Sequence, residues 1–492
     1  MFNTLFRQLY FFILIVLVLL SLRNLNNNNV SIAGDWYDYA LISSAFYNHY
    51  SPDIRLEDIV KTREIIKLSG FNNLMAEYSK FLEDKISSKN DKEIRKTLVL
   101  FKAKNGKIYN YHFWFYSLIN APFVLFFKSI NIAPFKAFIF VNTLIIWLCL
   151  LIIYSLKKLD YLKKAMLSFC LLFSSIIWYN NWIHPELFSS CLIFVSILLL
   201  YEEKHKSSIL LCALASLQNQ ALSIIILIII IDYLLKKRFN IREFIYIGII
   251  SSITLIPSLF YYYNFGKANL IVDLGFLSKQ NITPDRMFSF FFDFNQGIFL
   301  NIPFIIFVFI FIFGIKIATK KASIKTISIP ISILIMSIIS IQQVNWNMGE
   351  AVIIRYGTWI STIIIAYTII ETNISIKKQA ILFSIIAITQ LIPIKIFGGY
   401  NCNQHYMEHN IIAKYTFKHN PQLYNPDFEI FAERTLHKEY FYESDSPIIY
   451  KDENNNIRKI LIHKNTIQNL PKEIKIPNDI KFKNNWAYIN MQ

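Results

Sequence analysis

Charge is scarce in this chain. Of its 492 residues only 17% are charged and 54% are hydrophobic, where a soluble domain carries roughly a quarter charged residues. That excludes an ordinary water-soluble globule. Glycine (12) and proline (14) are also few, so long flexible linkers are excluded as well. Cysteine builds no framework. Cys149, Cys170, Cys191 and Cys212 fall in apolar runs, where a thiol behaves as a small hydrophobe. Cys402 alone lies in a polar segment, which leaves no disulfide network. No spacing of His, Cys and carboxylates matches a metal site, so no metal and no cofactor is expected.

What the chain has instead is long apolar runs and an uneven distribution of lysine. The net charge is +17, a value that could signal a nucleic-acid partner. Its placement argues against one. Residues 23–111 hold 14 basic and 11 acidic side chains, and residues 398–492 hold 12 and 11. The excess therefore lies in the apolar body, in short clusters: Lys157, Lys158, Lys163 and Lys164; Lys204 and Lys206; Lys236, Lys237, Arg238 and Arg242; Lys316, Lys320, Lys321 and Lys325; Lys377 and Lys378. Short basic loops orient membrane proteins. They are not the single basic face of a nucleic-acid reader.

A membrane helix needs about 20 apolar residues. Candidate spans are 5–22, 136–156, 164–182, 185–201, 207–219, 221–235, 243–262, 298–318, 326–342, 357–372 and 377–396, about eleven in all. The first lacks a small-residue cleavage site and reads as an uncleaved anchor. With the N-terminus in the cytoplasm, every lysine cluster falls inside. Residues 183–184, 263–297, 343–356 and 397–492 then fall outside. The apolar stretch 112–130, which holds Pro122 and Lys128, would invert that pattern if it crossed. It is expected to lie along the outer surface. The expected fold is thus an all-α polytopic membrane protein in four regions: an anchor (1–22), a long outer loop (23–135), a transmembrane body (136–396) and an extracytoplasmic tail (397–492). Phe71, Leu74, Met75, Tyr78 and Leu82, and Leu56, Ile59 and Val60, have the spacing of amphipathic helices in the outer loop. Residues 457–463, after Asn454-Asn455-Asn456, predict a strand.

Chemistry-bearing residues gather at the outer ends of these spans. In Gly34-Asp35-Trp36-Tyr37-Asp38 two carboxylates share a face if the piece is helical. Either could serve as a general base, or they cap a helix. In Asn180-Asn181-Trp182-Ile183-His184-Pro185-Glu186 two ionisable groups stand at a span boundary, a functional site or a boundary turn facing water. Arg355 and Tyr356 follow the polar run Gln342-Gln343-Val344-Asn345-Trp346-Asn347-Met348-Gly349-Glu350. A guanidinium there could pair with phosphate oxygens, or reach to lipid headgroups. Gln296, in Asn295-Gln296-Gly297-Ile298, enters a span. His112 leads the interfacial stretch and is either a site residue or part of an aromatic belt.

In order along the chain, these features comprise an acidic pair after the first span, an aromatic-proline segment, His-Pro-Glu, Gln-Gly-Ile, and Trp-x-x-Gly followed by Arg-Tyr. The order resembles the GT-C superfamily of polytopic glycosyltransferases over residues 1–396, including the bacterial mannosyltransferase-like and aminoarabinose-transferase-like branches. The resemblance implies sugar transfer from a polyprenyl-phosphate donor to a lipid or glycan acceptor at the outer face of a bacterial plasma membrane. It implies that Asp35, with Asp38 as the alternative, activates the acceptor. It implies that Arg355 holds the donor phosphate, with Tyr356, His184, Glu186, His112 and Gln296 around the substrates. No Asp-x-Asp pair is present in the first loop, unlike in many relatives. Two other readings compete: a polymerase or ligase of lipid-linked polysaccharide, which would have an Arg-rich late loop, and a transporter or flippase, which would show repeated halves.

Overall fold

The computed structural model describes residues 8, 10–12, 15, 30–71, 74–87, 99–236, 240–344, 353–399, 402, 405–438, 446–470, 474 and 480–491. The expected anchor 5–22 lies mostly outside these. Its described residues are helical, and Tyr10 donates to the Leu150 carbonyl (3.0 Å) while pairing with Ser168. The Trp346–Gly349 loop also lies outside the described residues.

The chain is mostly helical. Three described helices are long and apolar enough to cross a membrane: Lys136–Ser155, Ile241–Phe265 and Ile376–Phe397. The last two leave much of their apolar surface uncovered by protein, including Leu259 (61% exposed) and Ile381 (62%). Between such helices lie two that are apolar all round, Glu186–Tyr201 and Arg355–Glu371. A helix of that kind has no solvent face and is buried. Almost every residue of both is buried, and they pack on each other.

Several expected spans are interrupted. The segment 164–182 forms Tyr161–Leu172, then a separate turn, Ile176–Tyr179. Ser174 between them bonds the Leu171 carbonyl, a side-chain competitor for the backbone ladder. The segment 298–318 breaks into Ile298–Asn301 and Ile305–Ala318 around Pro303, which has no N–H to give. The pair expected at 207–235 forms His205–Gln218 and Ile224–Lys236, joined by a 3-10 turn, Gln220–Ser223.

The lysine-bearing loops converge at one end of this bundle. Lys158 and Lys236 both pair with Glu203 (2.9 and 3.3 Å), Lys206 pairs with Glu243 (3.0 Å), and Lys316 with Glu371. Buried Asp232 takes a bond from His205 (2.8 Å) with Lys325 close by. Glu186 and Arg355 start the helices whose other ends, Tyr201 and Glu371, reach this cluster.

The long loop folds into helices Trp36–His49, Leu56–Leu68 and Ala76–Ser87. The last starts later than its apolar spacing predicts, because Met75 takes a left-handed backbone (φ 57°). Residues 112–130 form the helix Phe115–Ser129. The chain is not wholly helical. A hairpin pairs Leu100–Lys102 with Ile108–Asn110, turning at Asn105-Gly106, where Gly106 has φ 79°. In the tail, the predicted strand appears as Ile457–His463. It is the centre of an antiparallel sheet flanked by Ile448–Lys451 and Trp486–Asn490. Buried Arg286 and Glu429 join the tail to the body (2.5 Å).

Candidate functional site

The site is assembled from four distant pieces of chain. Ser31 N–H donates to the Asn181 carbonyl (2.8 Å), and the Trp182 indole donates to the Ala33 carbonyl (2.7 Å). Asn142 in turn donates to the Asn180 and Trp182 carbonyls. These bonds hold residues 31–35 against residues 180–184. Gly34 adopts φ 58°, which glycine tolerates without strain, and the chain then enters the helix Trp36–His49.

Asp35 stands at the start of that helix but makes no capping hydrogen bond. Its carboxylate instead takes a bond from Arg355 NH1 at 2.9 Å, across 320 positions of sequence. The same oxygen, Oδ2, lies 3.5 Å from His184 Nε2 and 3.5 Å from His112 Nε2. His184 stacks on Trp182 (4.0 Å between ring centres) and lies 3.6 Å from Glu186. The Trp359 indole donates to Glu186. Arg355 NH2 donates to the Tyr356 hydroxyl at 2.7 Å. His112 rests against the Tyr39 and Tyr111 rings. Asp35, His112, His184, Glu186, Arg355 and Tyr356 therefore line one cavity of about 420 Å³.

Two sequence candidates stand outside it. Asp38 sits behind His112, 3.8 Å from Nε2, and does not line the cavity. Gln296, expected around the substrates, does not line the cavity. Its carbonyl accepts from Ile354 N–H (3.1 Å) and its Oε1 accepts from Arg434 (3.0 Å). It braces the start of the Arg355 helix from the tail side. In sequence the position reads only as a polar turn entering a span, which does not show what packs on it. Here the folded tail covers it.

The electrostatics separate two neighbouring carboxyls. Burial pushes Asp35 up, but the charges of His112 and Arg355, with both imidazoles 3.5 Å from its oxygen, outweigh it. The result is a carboxyl held well below its usual range. Asp38 is buried with less compensation. Burial raises it, His112 opposes, the Asp35 charge adds, and it is pushed up to about 7. Burial also takes His184 down to about 3, against the pull of Asp35. At neutral pH Asp35 is thus an anion, His184 a neutral ring and Asp38 half protonated.

Asp35, Asp38 and His112 bring possible ligand atoms within 4.8 Å of one another. Asp35 and Asp38 are three positions apart but His112 lies more than seventy further on, so the grouping has no metal-site spacing in sequence. A cation at this point would meet Arg355, already bonded to the Asp35 oxygen it would need. Among the other lining residues, Tyr39, Tyr111 and Gln343 stand in or beside the motifs read above, whereas Trp359 and the carboxamides Gln218, Asn219, Gln220 and Asn269 belong to none of them. For the amides a signal existed, the polar break between the apolar runs on either side of residue 220.

No protein-family model matches this chain, and no significant match was found among curated proteins or among solved structures.

Proposed function

We propose that this chain is a polytopic glycosyltransferase of the bacterial plasma membrane, with about eleven spans, the N-terminus cytoplasmic and the C-terminus extracytoplasmic. It moves a sugar from a polyprenyl-phosphate donor to a lipid or glycan acceptor at the outer face. One observation carries the reading: the Asp35 carboxylate and the Arg355 guanidinium meet in a single cavity beside two imidazoles.

Helix length supports the placement. Glu186–Tyr201, His205–Gln218 and Ile224–Lys236 have 16, 14 and 13 residues. At 1.5 Å per residue they span only about 20–24 Å of a hydrocarbon core near 30 Å. With their lysine-bearing ends at the cytoplasmic surface, their other ends stop short of the outer boundary. The cavity is then a recess in the outer leaflet, within reach of a phosphate whose lipid tail stays in the bilayer.

The chemistry is one displacement. The acceptor hydroxyl oxygen attacks the anomeric carbon, and the bond from that carbon to the phosphate oxygen breaks. The polyprenyl phosphate leaves with the electron pair, and Arg355 stabilises its growing charge. The hydroxyl proton passes to Asp35. In the resting geometry Arg355 occupies Asp35, which holds that carboxylate too acidic to be a good base. An arriving phosphate draws the guanidinium away, so donor binding precedes acceptor activation. Single displacement inverts the anomeric centre.

The test is transfer of labelled sugar from a polyprenyl-phosphate donor in vesicles. Asp35→Asn is expected to lower the rate by about a hundred- to ten-thousandfold. Undiminished transfer removes Asp35 from the mechanism and the reading with it.

A further inference from the structure

The cavity carries more than its ionic end. Resting on the transferase reading, we propose that the transferred sugar is uncharged, and that its hydroxyl groups are read by a row of carboxamides.

Among the described lining residues, ionisable acid, base and guanidinium groups are confined to Asp35, His112, His184, Glu186 and Arg355. These face one another at one end of the cavity, and the transfer itself uses Asp35 and Arg355. Asp35 is bonded to Arg355 in the resting geometry and faced by both imidazoles, and Glu186 accepts from Trp359 with His184 3.6 Å away. A sugar ammonium would have to take Asp35, which the acceptor proton needs once Arg355 has turned to the phosphate, or Glu186, whose carboxylate accepts from the Trp359 indole. A sugar carboxylate would compete with the donor phosphate for the one guanidinium. An unpaired charge in such a recess is strongly disfavoured.

Five amides supply the other polar wall. Three of them, Gln218, Asn219 and Gln220, come from the break between helices His205–Gln218 and Ile224–Lys236. Protein contacts fix most of them in orientation. Gln218 donates to the Phe113 carbonyl (3.0 Å) and accepts from Tyr116 N–H (3.2 Å). Asn219 donates to the Ser189 hydroxyl (2.6 Å). Gln220 donates to Ser258 (3.0 Å) and accepts from Asn269 (3.1 Å), whose own oxygen caps the short helix Leu270–Asp273. Each amide nitrogen has two hydrogens, and these bonds use one. Gln343 uses its backbone carbonyl for Arg286 and Asn281, leaving its side chain without a bond among the described residues. A carboxamide offers a donor and an acceptor side by side, as a sugar hydroxyl does. The arrangement is a preorganised neutral surface next to the reacting groups. Since Ser189 lies one turn beyond Glu186, Asn219 sits at the junction between the two walls.

The purified full chain in lipid nanodiscs is given three synthetic polyprenyl-phosphate donors, carrying mannose, a 4-amino pentose or glucuronic acid. Binding is measured directly, and transfer with native membranes as acceptor. The mannosyl donor is expected to bind at least about tenfold more tightly than either charged donor. Gln343→Leu, which breaks no protein bond, is expected to weaken the mannosyl donor by up to about tenfold, the effect of one lost hydrogen bond. Gln343→Glu is expected to narrow the gap for the amino sugar. Equal or better use of a charged donor overturns the inference and leaves the transferase standing. Binding and transfer of none of the three overturns both.

Discussion

Arg355 pairs with Asp35 although 320 positions separate them, and the consequence at the scale of single residues is a division of labour between two carboxyls. Asp35 is kept ionised by its cationic neighbours, whereas Asp38, three positions on, is pushed up to about 7, chiefly by burial. Folding therefore favours the protonated form of Asp38 over its state in the unfolded chain, where the value is 3.8. The stability this confers is complete below pH 3.8 and disappears as pH rises through about 7. Asp38→Asn cannot ionise and escapes that loss. Thermal unfolding in detergent at pH 5 and pH 8 is expected to show the variant gaining on the native protein at the higher pH. A difference that does not change with pH would mean that Asp38 is not held protonated by the fold. The sequence displayed each of these residues through its local motif. It could not display their meeting, because the hydrogen bonds that align residues 31–35 with 180–184 belong to no motif. Nor could it show that Asp35 would leave its helix uncapped.

At the scale of elements, turns decide what the helices present. The start of the Arg355 helix is held by the turn Asp293–Gly297, through the Gln296 carbonyl and Ile354 N–H. Gly297 has an ordinary extended backbone (φ −61°, ψ 151°), so its role is close approach. A Cβ there would stand closer than 3.0 Å to the backbone of Asp293 and Phe291. Asp293 is held in place, because its N–H donates to the Ser289 carbonyl of the preceding helix and its carbonyl accepts from Gly297 N–H. Gly297→Ala is expected to cost about 1–3 kcal/mol, the range for overpacked sites, read as a lowered unfolding midpoint. It should also weaken transfer, since Arg355 moves with the turn. An unchanged midpoint would show that the turn opens freely. The pattern of apolar runs located most helices to within a few residues, and the strand Ile457–His463 was readable from its composition. The hairpin around Asn105-Gly106 was overlooked although that dipeptide is a strong turn signal. The breaks at Ser174 and Pro303 were hidden inside runs whose hydropathy hardly dips. Hydropathy averages over a window, whereas a helix ends at a single unsatisfied or competing bond.

At the scale of the whole molecule, only three described helices meet the length and hydropathy of a full crossing, yet the arrangement proposed has about eleven. The two are compatible if short helices are covered by other helices while longer ones present apolar flanks to lipid. That is the distribution seen: Glu186–Tyr201 and Arg355–Glu371 are buried by protein, while Ile241–Phe265 and Ile376–Phe397 expose apolar flanks. The convergence of lysine loops at one end, away from the cavity, supports the proposed sidedness, since short basic loops tend to stay cytoplasmic. This makes sidedness a direct measurement. Cys402 is replaced by serine, leaving only cysteines buried in the bundle, and one new cysteine is introduced at an exposed position. Lys321→Cys tests the lysine end and Glu453→Cys tests the tail. In intact cells an impermeant maleimide is expected to label position 453, with position 321 reacting only after the membrane is opened. Labelling of both from outside would put the lysine end and the tail on one side. The number of crossings between them would then be even, and the cavity could not face the outer leaflet while its helices end inside.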